Sequence, residues 1–87
     1  MKLQIFSTPV CHLCSLAKAI VTAYVNSDSN TNAEGIELEV IDIINNADLL
    51  KRYGESIPVV KEVMSEAELY WPFDDEQFAR WVNELPA

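Results

Sequence analysis

The sequence predicts an α/β fold with the element order β-α-β-α-β-β-α. Two observations carry that prediction. Short apolar segments that alternate with polar residues are interleaved with segments whose apolar residues recur at helical spacing. The stops between them are turn and cap residues placed where such elements should begin and end. The first strand–helix–strand unit should be parallel and right-handed. The last two strands should form a hairpin, which makes a four-stranded mixed sheet with helices on both faces.

Lys2–Phe6 reads as the first strand, and Thr8-Pro9-Val10 as a turn. Leu13, Leu16, Ala17, Ile20 and Tyr24 then fall at helical spacing, so a helix is expected from about Cys11 to Val25. Asn26–Gly35 is polar and reads as a loop. Ile36, Leu38 and Val40 alternate with Glu37 and Glu39, and Ile41-Asp42-Ile43 continues the run. A strand with one charged face suits the edge of a sheet. Asn45 or Asn46 can cap a short helix that carries Asp48 in its first turn, Lys51 and Arg52 in its last, and Gly54 just beyond. Val59-Val60 begins a third strand after Ile57-Pro58, and Ala67–Trp71 is a fourth, joined by a turn near Ser65. Pro72 stops it. Asp74 then caps a last helix, with Gln77 at the capping-box position and Phe78, Trp81, Val82 and Leu85 as its apolar face.

The chain has 87 residues, of which 49% are hydrophobic. That is one domain's worth of chain, spanning residues 1–87, with no repeats or linkers. No apolar run approaches the roughly 18–20 residues of a membrane span, and the N-terminus lacks the pattern of an export signal. The expected setting is cytoplasmic. Fourteen acids against six bases leave a net charge of −8. A nucleic-acid partner would need a basic stripe, and an anionic membrane surface would repel this chain.

Cys11-His12-Leu13-Cys14 holds the only two cysteines. The two-residue gap lets them meet as a disulfide across one helical turn. A helix start favours the sulfur anion through unpaired N–H groups and the positive end of the dipole. Cys11, at that start, is the expected nucleophile. Cys14, one turn in, is suited to resolve a mixed disulfide. A structural staple is the competing reading, but a four-residue ring contributes only about 2 kcal/mol in the chain-entropy model. A zinc site would need four ligands, and His12 is poorly placed to chelate with its neighbour. The thiols can also be small core residues. Redox chemistry is the reading this pattern favours near a βαβ unit.

The element order resembles the thioredoxin fold in its minimal form, the size of a glutaredoxin, over essentially the whole chain. The motifs are more specific than the order. A cysteine pair enclosing His-Leu, Tyr53-Gly54 before Ile57-Pro58, and Trp71-Pro72-Phe73-Asp74 near the end resemble the signature of a group of small glutaredoxin-like proteins. The resemblance implies a cis-proline at Pro58 beside the cysteine pair. The backbone of Ile57 would there meet an extended substrate as a short strand. His12 is a candidate modulator of Cys11, although thioredoxin-like oxidants usually carry their histidine beside the second cysteine.

The chain also departs from glutaredoxins. Where they carry Gly-Gly before the last helix, this chain has Trp71, Pro72 and Phe73. Asp74 is left as the candidate partner for a substrate ammonium group, and Thr8 stands near the position of their carboxylate-binding basic residue. Glutathione is therefore a doubtful substrate, an iron–sulfur cluster shared between two copies is disfavoured with it, and no cofactor is required. The expected function is thiol–disulfide exchange on a protein or small-molecule disulfide. The alternative is a binding or adaptor module on the same frame.

Overall fold

The computed structural model describes residues 1–26 and 36–85. The stretch predicted as a loop, Asn26–Gly35, lies outside them except for Asn26. Seven elements follow in the order β1 (Lys2–Ser7), α1 (His12–Val25), β2 (Glu37–Asp42), α2 (Ala47–Tyr53), β3 (Val59–Glu62), β4 (Glu68–Tyr70) and α3 (Asp75–Glu84).

The four strands form one mixed sheet in the order β2-β1-β3-β4. β1 pairs in parallel with β2, from Lys2 opposite Glu37 to Ser7 opposite Asp42. It pairs antiparallel with β3, with Ile5 opposite Val60 and Phe6 opposite Val59. β4 returns antiparallel to β3, with Val59 opposite Tyr70. β2 is thus an edge strand, and its exposed Glu37 and Glu39 charge that edge.

β1 is central and covered on both faces, and its alternation sorts the core in two. Leu3 and Ile5 point to the cluster built with Ala17 and Val21 of α1, Val60 of β3, Phe73, and Phe78 and Val82 of α3. Phe6 points the other way and packs with Ile43, Tyr53 of α2 and Val59. A strand covered on both faces needs apolar residues in both registers, which Leu3, Ile5 and Phe6 supply.

The helix starts follow local chemistry. The Asn46 side chain accepts the Leu49 N–H at 3.0 Å, which selects Asn46 over Asn45 as the cap of α2. Asp74 and Gln77 close a reciprocal capping box at α3, with contacts of 2.7 and 2.9 Å. The buried stripe of α1 is Cys14, Ala17 and Val21. Leu13 and Leu16, read above as part of the helix's apolar set, are each 45% exposed. The small residues face the sheet because the helix packs close to it, and the two leucines flank the contact.

The β3–β4 turn carries a buried carboxylate. Glu62 is 2% exposed, and its oxygens accept the Met64 and Ser65 N–H groups at 2.8 and 2.9 Å. Burial alone would raise its pKa. The two N–H groups, the Ser65 hydroxyl and the N-terminal ammonium outweigh that and hold it below the ordinary carboxylate value.

A candidate thiol-disulfide site

β1, β2 and β4 run in the same direction, so their C-terminal ends lie at one end of the sheet. Each leads into a helix, so α1, α2 and α3 all begin at that end. β3 starts there too. The loops holding Thr8, Cys11, Ile57, Pro58 and Trp71 therefore share one end of the molecule.

Cys11 is the N-cap of α1, one residue before the helix proper. Its backbone N–H donates to the Thr8 carbonyl at 3.2 Å, which closes the turn through Pro9 and Val10. Its sulfur accepts the Cys14 N–H at 3.1 Å. A cap side chain normally offers oxygen to that N–H; here sulfur takes the role. Cys11 and Cys14 are joined as a disulfide with their Cα atoms 5.2 Å apart. Cys11 is half-buried and Cys14 has no exposed surface. The two sulfurs thus belong to one half-buried and one fully buried residue.

Val10 is 91% exposed beside the pair, and Leu13 lies one residue before Cys14. Two exposed apolar side chains thus neighbour the pair in the sequence. His12 is the first residue of α1 and is exposed. Among the described residues no group of three or more His, Cys, Asp or Glu side chains comes together to hold a metal ion.

The Ile57–Pro58 and Trp71–Pro72 peptide bonds are both cis. Pro58 is buried, and its carbonyl accepts the Trp71 N–H at 3.3 Å, so the two proline segments are neighbours. The Ile57 N–H donates to the Tyr53 carbonyl at 3.0 Å. The Ile57 N–H is therefore already occupied within the chain.

Tyr53, named in the sequence only as part of the Tyr53-Gly54 motif, anchors the segment before Pro58. Its carbonyl accepts both the Ser56 and the Ile57 N–H, and so shapes the approach to Pro58. Its ring stacks on Phe6 at 4.5 Å, the Arg52 guanidinium lies 5.2 Å from its centroid, and its hydroxyl donates to Glu68. Burial and then the Glu68 carboxylate push the phenol up to about 12. The signal was present as Tyr53-Gly54, but nothing local distinguishes an anchoring tyrosine from a surface one. Gly54 has an ordinary helical φ; it is needed because a Cβ there would collide with the Leu50 carbonyl oxygen.

Trp71-Pro72-Phe73-Asp74 acts mainly in the core. Trp71 meets Phe73 edge-on at 5.1 Å, Phe73 meets Phe78 at 5.9 Å, and Phe78 contacts Tyr24 and Trp81. These rings tie the loop before α3 to both helices of that face. Asp74 keeps one oxygen on the Gln77 N–H, so it is first a helix cap.

The profile of the glutaredoxin-like domain (DUF836) matches residues 2–83. The chain belongs to the glutaredoxin-like family. The solved structures point the same way. The X-ray structure of the structural-genomics target protein XcR50 from X. campestris is 26% identical, with a TM-score of 0.79, covering 97% of this chain and 99% of that one. The solution structure of the same target is 27% identical, with a TM-score of 0.77 and coverages of 99% and 97%. No curated protein matches the chain significantly. This glutaredoxin-like protein thus has the family's thioredoxin-like sheet with a bonded cysteine pair at its helix start, the arrangement of a thiol-redox family.

Proposed function

We propose that this glutaredoxin-like protein is a thiol–disulfide oxidoreductase that cycles between a Cys11/Cys14 dithiol and the disulfide. One observation carries the reading: a bonded pair in which a half-buried cysteine caps a helix through its sulfur and the other cysteine is fully buried. In the reducing direction, the Cys11 thiolate attacks one sulfur of a substrate RS–SR′. A Cys11–SR bond forms and R′S⁻ leaves, taking a proton. The Cys14 thiolate then attacks the Cys11 sulfur, the pair closes and RS⁻ leaves. Two electrons and two protons pass from the pair to the substrate. The attacking sulfur gains from the helix start and from the Cys14 N–H.

The substrate lies against the Pro58 segment. It donates one strand-like hydrogen bond, from its N–H to the Ile57 carbonyl, and rests its apolar part on Val10 and Leu13. Glutathione has little to hold here. The Ile57 N–H is committed to Tyr53, Pro72 has no N–H, and Thr8 supplies no charge. A protein disulfide or a small apolar disulfide fits these groups better. Asp74 can add a carboxylate oxygen to a substrate ammonium. Among the described residues no helix is long and apolar enough to cross a membrane. The reading places the protein in the cytoplasm, where the pair would be kept reduced.

The test uses reduced protein against a panel of protein and low-molecular-weight disulfides. Cys11→Ser should abolish turnover, and Cys14→Ser should trap a mixed disulfide at Cys11. Turnover retained by Cys11→Ser, or no trapped species in Cys14→Ser, overturns the proposal. The adaptor reading draws on the aromatic packing that fills the region before α3. Partner capture undiminished in a Cys11→Ser, Cys14→Ser double variant would favour it.

A further inference from the structure

An open cleft of about 220 Å³ lies beside the disulfide loop, lined by Ser7, Thr8, Pro9, Lys18, Val40 and Asp42. Three segments converge on it: the end of β1 with the turn after it, the middle of α1, and the end of β2. Ser7 and Asp42 are opposite one another where the two parallel strands finish. Pro58 and Trp71 lie on the other side of β1, because β3 and β4 do. The cleft is therefore separate from the face against which the disulfide substrate was placed.

Its charges are opposite and unjoined. The ion pairs among the described residues are Lys2–Glu39 and Arg80–Glu76, so neither Lys18 nor Asp42 is in one. The sequence explains the lysine: α1 contains no acidic residue, so no carboxylate sits one turn away to neutralise it. Lys18 is half-buried. Asp42 offers one oxygen to the Ile44 N–H at 3.0 Å and keeps the other for a second partner. Val40 also lines the cleft, 48% exposed although it sits on a strand whose other exposed residues are Glu37, Glu39 and Asp42. Pro9 adds a second apolar wall.

Size narrows the ligand. At roughly 30 Å³ per water, the cleft holds about seven waters, so its occupant is a small molecule. It is below the ~300–1,000 Å³ of clefts that take drug-sized ligands. A molecule of that size with an anionic and a cationic end, and a short apolar branch, is a small α-amino acid.

We propose that this cleft binds a small α-amino-acid zwitterion, its carboxylate on Lys18, its ammonium on Asp42 and its side chain against Val40 and Pro9. The site shares a turn with the disulfide, since the Thr8 carbonyl holds the Cys11 N–H. Binding itself requires no electron transfer.

The probe is α-aminobutyrate, which has seven heavy atoms and no sulfur. The readout is amide chemical shifts of the oxidised protein. Saturable shifts are expected at Thr8, Lys18, Val40 and Asp42, with a millimolar or tighter dissociation constant. Butyrate and propylamine, each lacking one charge, should bind about tenfold more weakly or worse, as loss of one charge-assisted contact implies. Lys18→Met and Asp42→Asn should each weaken α-aminobutyrate by a similar factor. Lys51→Met, which removes an exposed lysine of α2, should not. The two cleft variants are independent, so misfolding of one leaves the other to decide. No saturation by about 50 mM, saturation centred on Pro58 and Trp71, or undiminished binding in a folded cleft variant overturns the proposal. Any of these leaves the disulfide-exchange reading intact, because the probe cannot exchange sulfur.

Discussion

Reduced Cys11 should ionise well below an ordinary thiol, and the structure sets the size of the effect. The sulfur caps α1 and accepts the Cys14 N–H at 3.1 Å. A charge at a helix N-terminus gains about 0.3–1 kcal/mol when exposed and up to ~2 kcal/mol when partly buried. A hydrogen bond to a charged acceptor exceeds one to a neutral acceptor by about 1 kcal/mol. The first turn of α1 carries no acid to oppose either term. Cys11 is only half-buried, so solvent takes back part of the gain. A net 1.5–2 kcal/mol, to within about a factor of two, raises the ionisation constant by roughly ten- to thirtyfold. The assay is the pH dependence of alkylation in Cys14→Ser, so that one thiol is counted. Because that substitution keeps the Cys14 backbone N–H, the contact survives. The midpoint should lie at least one pH unit below the ~8.5 of a free cysteine. His12→Ala should leave it in place if His12, exposed at the first helical position, acts only as a surface residue. A Cys11 midpoint at or above that of a free cysteine refutes the reasoning, since neither the helix start nor the cap bond would then favour the anion.

The other predictions concern the frame around the pair. Phe78→Ala removes a fully buried ring that contacts Tyr24, Phe73 and Trp81, and should cost about 3–5 kcal/mol in urea unfolding. Gly54→Ala sets a methyl against the Leu50 carbonyl oxygen, a backbone atom that cannot turn aside; about 1–3 kcal/mol should be lost in thermal or urea unfolding. Tyr53 has a folded-state pKa of about 12, above its unfolded value near 10, so its proton is held more tightly in the fold. Its contribution is complete below pH 10 and fades as pH rises toward 12. Over that window wild type should lose about 2 kcal/mol more than Tyr53→Phe, measured by urea unfolding at each pH.

The readable parts of this chain were those whose cause is local. The strand and helix order follows from spacing within each segment, and the caps at Asn46 and Asp74 follow from side chains three residues from the N–H they accept. Cys11 and Cys14 were readable for the same reason. Leu13 and Leu16 helped to mark the helix but not its buried side, because helical spacing defines a stripe and not which edge of it faces the sheet. That choice depends on how closely α1 packs, and the small Cys14 and Ala17 took the inner positions. Glu62 gave no warning of burial, because its partners are the N–H groups of a turn whose shape the sequence does not disclose. The cleft at Lys18 was equally hidden: its walls are 24 residues apart along the chain and meet only when β2 pairs with β1.

The Ile57 N–H alters what this fold can recognise. A substrate strand that meets both the N–H and the carbonyl of one residue is fixed in register by two bonds; a strand that meets only the carbonyl can pivot about one. Net hydrogen bonds contribute about 0.5–1.5 kcal/mol each, so loss of the donor removes up to roughly tenfold in affinity. It removes as much in discrimination between substrate backbones. On the proposed reading, what would remain to select a substrate are the exposed apolar side chains of Val10 and Leu13, which read no sequence closely. The donor is withheld by Tyr53, whose ring is fixed on Phe6 beneath the site and whose hydroxyl reaches Glu68 on the far strand. Under the proposed exchange, core packing of one tyrosine would thus set how loosely the Pro58 segment holds a partner, and loose holding would suit release of product once Cys14 closes the pair.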